Sequence, residues 1–340
     1  MSFLNVWPAQ PPKAPLTPLP LLFCSYYGEP GGWPHISSSF GQFDLAGFSK
    51  APSYWYRSAW LSGVPASDPA RPPISGGAAD TVVHIVEAWQ PPNAPGAHSR
   101  RINVYTNAPA VALSVNGARV GLALVPALGW ATFPAVNYTP GTLSAEALGA
   151  DNATVLASAE RHSWGAPASL LLTLDAPSPA TGTGSALYLD GSDVALLRAE
   201  VLDAAGHRVE DGVVNVTFAV SAGPGLVVGC GNGDPANRDP NQAPWKPAYH
   251  GLVRAVVRVT LDAASPPEVR AARLAMELQA GAGPRSSSIL PVGSAAPTSM
   301  TVTASAPGLP VATLVVQLSV DPADAPLAAA AASVAAADLG

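Results

Sequence analysis

The chain holds 340 residues, 48% of them apolar, which suffices for two or three buried cores at the usual ~100 to 200 residues per domain. Seventeen basic against 23 acidic residues leave a net charge of -6, and no Lys/Arg cluster is present to track phosphates or an anionic bilayer, so nucleic-acid and membrane partners are not expected. Two cysteines, Cys24 and Cys230, are too few for a disulfide framework or a four-ligand zinc site, although a single bridge between them stays open.

In chain order, the first apolar run is "LPLLFCS", Leu19 to Ser25. Proline interrupts it and only Lys13 precedes it as a charge, which makes a poor signal peptide. From Asp80 onward, turn residues punctuate short apolar runs that alternate with period two, the pattern of a β-sandwich. In "VALSVNGARVGL" the side chains of Val111, Leu113 and Val115 point one way. Asn116-Gly117 supplies the positive φ angles of a type I′ turn, and Val120 and Leu122 return on the second strand.

Further along, Val214, Val216, Phe218 and Val220 share one face of a strand while Asn215, Thr217 and Ala219 share the wetted one. "LVRAVVRVT" turns Val253, Ala255, Val257 and Val259 inward and Arg254 and Arg258 outward. "VATLVVQLSV" offers Ala312, Leu314, Val316, Leu318 and Val320 as a buried set. A Pro/Ser/Thr/Gly stretch after a strand-like run near Gly165 divides these strands into two modules, residues 80–165 and 166–322. "PEVRAARLAMELQA", residues 267–280, has helix formers and a first-turn Pro, and reads as a helical insertion into the second module. The Ala-rich tail, residues 323–340, falls short of the ~20 apolar residues that cross a bilayer.

Four separated stretches, in order, carry a resemblance to a known family. "YGEPGGWP" followed by "SSSFGQFDLAGFSKAPSYWYRSAW", Ser37 to Trp60, resembles the segment after the last barrel strand of glycoside hydrolase family 2, the β-galactosidase family. "TNAPAVALSVNG" and "YTPGTLSAEAL" resemble that family's sandwich domain, and "GSDVALLRAEVLDAAGHRVEDGVVNVTFAVSAGPGLVVGCGNGDP" resembles its C-terminal Ig-like module. The fold this implies is mainly β: two tandem β-sandwich, Ig-like modules preceded by a remnant of the end of a TIM barrel at residues 26–62.

The resemblance implies a retaining glycosidase, whose two carboxyl groups stand about 5 to 5.5 Å apart at the ends of barrel strands. Those glutamates belong upstream of the "GEP" stretch, so no catalytic residue is expected here and the chain alone is expected to be inactive. Tyr27, Glu29 and Trp33 are the substrate-binding candidates, because aromatic faces stack on sugar rings. Packing remains the competing role for Tyr27 and Trp33, and loop orientation for Glu29. Asp44 is expected to pin the turn before Leu45-Ala46-Gly47, and Trp55, Tyr56 and Trp60 to pack in a core or between domains. Residues 1–25 depart from the family: the strand tryptophan expected six residues before Tyr27 is Leu21. Their Pro, Leu, Phe and Ser codons resemble a translated pyrimidine tract, so the expectation is that coding sequence continues upstream into a barrel; the alternative is an ordinary divergent, Pro-rich leader.

Other motifs carry little. The glycines from Gly223 to Gly233 precede no convincing helix and no Lys-Ser/Thr pair, which favours a turn and bulge over a phosphate loop. The six histidines show no i, i+4 pairing, and neither a metal nor a cofactor is expected. Cys230 reads as a small packed apolar residue. Of three sequons, Pro140 weakens the one at Asn137, leaving Asn152 and Asn215 as glycosylation candidates. The partners expected are a carbohydrate substrate through the barrel, and either a catalytic barrel chain or a second copy in a homo-oligomer. The rival reading is a non-catalytic carbohydrate-binding or adhesive sandwich protein. The compartment stays open.

Overall fold

The computed structural model describes residues 41–62, 81–92, 98–175, 187–188, 193–260 and 299–319. The leader, the stretch holding Tyr27, Glu29 and Trp33, Cys24, the helix expected at 267–280, Val320 and the Ala-rich tail lie outside these residues.

One helix, α1 (Ala51–Leu61), precedes the strands. Pro52 sits in its first turn, where a missing N–H costs nothing, and Ser53 bonds back to the Lys50 carbonyl through both its amide and its hydroxyl. Seven strands follow: β1 (Val83–Ile85), β2 (Ser99–Thr106), β3 (Ala110–Val115), β4 (Ala118–Leu124), β5 (Ala131–Asn137), β6 (Thr142–Leu148) and β7 (Val155–His162). They form two antiparallel sheets, β1-β2-β5 and β4-β3-β6-β7. Ile102, Val104, Val111, Leu113 and Leu143 meet between the sheets with no exposed surface, and Trp89 closes one end, its indole N–H donating to the Thr139 carbonyl at 3.0 Å.

The second sandwich uses β8 (Pro167–Leu174), β9 (Leu187–Tyr188), β10 (Val194–Asp203), β11 (Asn215–Ala222), β12 (Gly225–Gly231), β13 (Trp245–Pro247), β14 (Leu252–Val259), β15 (Ser299–Ser305) and β16 (Ala312–Ser319). Its sheets run β12-β14-β10-β8 and β13-β11-β15-β16-β9, with only β9 and β16 parallel. Val216, Phe218, Val253, Ala255, Val257 and Val259 are buried in its core, as period-two alternation demands. A bulge between Val227 and Gly229 interrupts the Gly-rich stretch in β12. The chain is thus mainly β, built of two antiparallel sandwiches.

Three expectations need correction. Asn116 (φ 50) and Gly117 (φ 80) do form the left-handed pair of the β3–β4 turn, but a bulge between Leu113 and Ser114 shifts the register, so Gly121, not Val120, faces Leu113. Val120 and Leu122 therefore stand 50% and 48% exposed, and Gly121 takes the core position, where an added Cβ would lie 3.0 Å from the Phe133 ring. Arg254 is not wetted. It lies on the outer face of β14 as alternation requires, yet residues 46–48 cover it. Trp60 packs into no core among the described residues, and is 67% exposed at the end of α1.

Candidate functional site

Two surfaces hold the N-terminal segment. The first is the outer face of the sheet β12-β14-β10-β8. Residues 42–50 fold back on themselves in a short turn: Phe43 bridges Ser49, the Asp44 amide donates to the Phe48 carbonyl, and Lys50 reaches back to Gln42. Gly47, at φ 81, supplies the left-handed residue the turn requires. Inside the turn, Asp44 Oδ1 accepts the amides of Ala46 and Phe48, both at 2.9 Å. Burial pushes the Asp44 carboxyl up from its ordinary value, and those two amides, Arg254 and Lys50 oppose the shift. Its other oxygen lies against Gly233 so closely that a Cβ there would stand 2.2 Å away.

Phe48 then slides under two guanidinium groups, 4.4 Å from Arg254 and 5.5 Å from Arg198 to the ring centroid. Arg254 also donates through Nε to the Ala46 carbonyl, and Asp175 forms ion pairs with both arginines. A buried guanidinium needs this company, since an isolated buried charge is far more costly than a paired one.

Below this contact, the β12–β13 connection is fixed by its own buried cation. Lys246 is 2% exposed, and its ammonium donates to Asn237 Oδ1 at 2.7 Å and to the Asp239 carbonyl. Asn232 Nδ2 donates to the Pro247 carbonyl at 2.8 Å, so the turn that carries Gly233 is anchored at both ends.

The second surface belongs to the first sandwich. Pro52, Ser58 and Leu61 of α1 are buried, and Tyr54 stacks flat on His84 at 3.8 Å between centroids. Burial, aided by Arg161 and Arg208, pulls the His84 imidazole down to about 3, so a neutral ring is what Tyr54 meets at neutral pH. Trp55 Nε1 donates to the Leu128 carbonyl at 3.3 Å, and Trp130 meets the edge of Tyr105, which in turn lies by His84. Between the sandwiches, Arg161 of β7 pairs with Glu210 at 3.1 Å, Trp164 Nε1 donates to Asp211 at 2.6 Å, and His162 stacks on His207 at 4.3 Å.

The segment so held turns apolar side chains outward. Phe43 and Leu45 are 54% and 55% exposed on the clamped turn, while Tyr56 and Trp60 meet at 5.5 Å on α1. No group of three or more His, Cys, Asp and Glu able to hold a metal occurs among the described residues. The site is thus a clamped turn and helix that leave Phe43, Leu45 and Trp60 exposed. Sequence reasoning missed Arg254 as its clamp and Lys246 as its brace, because alternation alone reports which face a residue takes and not what covers that face.

Two antiparallel sandwiches thus hold a helix whose last aromatic residue, Trp60, is 67% exposed. The model of glycoside hydrolase family 2 C-terminal domain 5 matches residues 181–275, and that of a domain of unknown function, DUF4982, matches residues 98–156. Beta-galactosidase BoGH2A of Bacteroides ovatus is 30% identical over 235 residues, 68% of this chain and 24% of that protein. A β-glycosidase from Bacteroides vulgatus superposes with a TM-score of 0.59 at 19% identity, covering 84% of this chain and 29% of that one. A glycosyl hydrolase family 2 member from Bacteroides cellulosilyticus gives 0.55 at 21% identity, with 82% and 32% covered. The chain carries the C-terminal region of a glycoside hydrolase family 2 enzyme. It spans about a quarter of the length of the curated relative it matches, 24%.

Proposed function

We propose that this chain forms the C-terminal portion of a β-galactosidase-like glycoside hydrolase, in which the barrel that residues 26–62 complete, its remainder lying against α1, hydrolyses a terminal β-glycoside with retention. In that chemistry one carboxylate attacks the anomeric carbon and the other protonates the leaving oxygen, then activates the water that frees the sugar. On this reading both carboxylates are the barrel's, and the described residues supply its support. Tyr27, Glu29 and Trp33 remain the candidates for sugar contact.

The observation that carries the reading is the two-faced helix α1. Leu61 is buried at 6% exposure, on the helix whose Tyr54 stacks on His84 of the first sandwich, whereas the neighbouring Trp60 is 67% exposed. A surface helix with one apolar stripe needs no second aromatic face, so that face fits a body beyond the described residues. The test is to assay the purified chain on nitrophenyl β-galactoside, alone and co-expressed with the portion of beta-galactosidase BoGH2A that lies outside the matched 24% of that protein. Hydrolysis only with the barrel present is the expected result. Turnover by the chain alone would place the chemistry on its own residues and sink the proposal.

A further inference from the structure

We propose that Asn152, in the turn between β6 and β7, is an acceptor for an N-linked glycan, and that this glycan shields the free edge of β7. The glycosidase function proposed above neither requires nor supplies the modification, so each stands or falls by its own experiment.

Asn152-Ala153-Thr154 is one of three sequons in the chain, and the structure separates them by where each Asn stands. Asn137 ends β5 opposite Ser99. The Tyr138 that follows is pinned at both ends, its amide donating to the His98 carbonyl at 2.8 Å and its hydroxyl lying 3.0 Å from Ser163 Oγ. Asn215 opens β11, a strand with neighbours on both sides: it faces Pro247 of β13, while Thr217 faces Trp245 on one side and Ser305 on the other. A glycan there has to run across paired strands. Asn152 is the one of the three that lies in a turn, and residues 150–156 are all exposed. Its φ of 55 is a left-handed value that Asn tolerates better than most residues.

The bonds that hold this turn are made by Asp151 and the backbone, not by the Asn152 carboxamide. The Asn152 amide donates to the Gly149 carbonyl at 2.9 Å, and the Gly149 amide to the Thr154 carbonyl at 2.8 Å. Asp151 Oδ1 accepts the amides of Ala153 and Thr154 at 3.0 and 2.9 Å, and its Oδ2 accepts the Thr154 hydroxyl at 2.6 Å. A sugar on Asn152 Nδ2 therefore displaces none of them. In the transfer, Nδ2 bonds to C1 of a saccharide carried on a lipid pyrophosphate and gives up one proton. The bond from C1 to the pyrophosphate oxygen breaks, and the lipid pyrophosphate leaves. That donor belongs to the secretory route, which is where the proposal takes this chain.

What the glycan does there follows from the strand it precedes. β7 is the outermost strand of the sheet β4-β3-β6-β7, so among the described residues one side of its backbone pairs with no strand. Its first two residues, Val155 and Leu156, are 50% and 44% exposed. An open edge with exposed apolar side chains is a template for pairing with another chain, and edges are ordinarily blunted by charge, by proline or by a cover. The run Val155 to Ala159 has neither charge nor proline, and the first charge on β7 is Glu160. A hydrophilic glycan rooted in the turn just before Val155 supplies the cover.

The experiment secretes the full chain from cultured insect cells behind a cleavable signal sequence, beside N137Q, N152Q and N215Q. The same sequence is also made in the bacterial cytoplasm, where it receives no glycan. Intact mass before and after peptide N-glycosidase F, with peptide mapping of the asparagine converted to aspartate, identifies the site. A glycan at Asn152 is expected in the chain, N137Q and N215Q, and its loss in N152Q. Light scattering then compares the glycosylated and unglycosylated chains, which are identical in sequence and so differ in no bond of the turn. The glycosylated form is expected to begin associating at a concentration higher by about twofold or more, at an unchanged urea midpoint. A secreted chain bare at Asn152, or modified only at Asn137 or Asn215, would overturn the proposal. Equal association by the two forms would overturn it as well, because the β7 edge would then need no cover. Both results leave the hydrolysis assay with the barrel untouched.

Discussion

Asp203 Oδ2 accepts the amide of Gly165 at 2.8 Å, joining the last residue of β10 to the linker that leaves the first sandwich. Its Oδ1 takes the amides of Ala205 and His207, both at 2.9 Å, so one carboxylate sets the β10 turn and the path between the sandwiches together. Burial pulls this carboxyl upward, but the three amides outweigh it and hold it below its ordinary value. A depressed folded value means stability that is present above the unfolded value near 3.9 and lost as pH falls through the folded one. D203N should therefore cost about 1 to 3 kcal/mol at pH 7. The cost should begin to shrink as pH falls past the unfolded value near 3.9, and vanish only below the lower folded value, where the native carboxylate is itself protonated. Urea unfolding at pH 7 and pH 3 checks this, and an equal deficit at both would refute it.

The β3–β4 turn offers a second test. Asn116 and Gly117 occupy the left-handed region, and the Asn116 side chain also accepts the Thr142 amide at 2.8 Å and donates to the Pro140 carbonyl at 3.0 Å. N116A removes a favourable left-handed residue and two hydrogen bonds, and should destabilise the first sandwich by about 1 to 2 kcal/mol. G117A meets open space but keeps φ at 80, so its cost, about 1 kcal/mol, is backbone strain alone. Thermal unfolding that ranks G117A as the more damaging would contradict the account.

These residues also mark how far the sequence can be read. Asn-Gly between two alternating runs is a local signal, because the turn's φ angles depend only on those two residues, and the hairpin is legible for that reason. The bulge at Leu113/Ser114 is not, since it depends on Phe133 of β5 needing a glycine beside it. The inward faces of β11, β14 and β16 follow from period two alone. What covers an outward face does not: Arg254 reads as a solvated strand residue until Phe48, far away in sequence, is laid on it. Trp60 illustrates the converse. An aromatic residue at helical spacing implies packing, and nothing local says whether its partner belongs to the same described residues.

Cys230 should behave as an inert core thiol. It is 3% exposed in the second sandwich, and burial pushes its thiol up to about 12 despite the opposing pull of Lys246. The thiolate is the reactive species, so at pH 8 almost none is available. In a C24S background, dithionitrobenzoate should release no thionitrobenzoate from the native chain over an hour and one equivalent after denaturation in guanidinium. Rapid labelling under native conditions would show that β12 opens far more readily than its pairing with β14 implies.

The two faces of α1 predict opposite responses at neighbouring positions. Leu61 is 6% exposed and belongs to the face held by the first sandwich, so L61A loses transfer free energy and leaves a cavity, a cost of about 2 to 4 kcal/mol. Trp60 is 67% exposed and touches Tyr56 obliquely at 5.5 Å, so W60S should change stability by no more than ~0.5 kcal/mol. The same substitution removes exposed apolar surface and should raise the concentration at which the purified chain begins to aggregate. Urea unfolding and light scattering on the two variants give the comparison directly. Strong destabilisation by W60S would mean that the described residues already bury this indole in solution. Its face would then be part of the chain's own core, and no outside body would be needed to cover it.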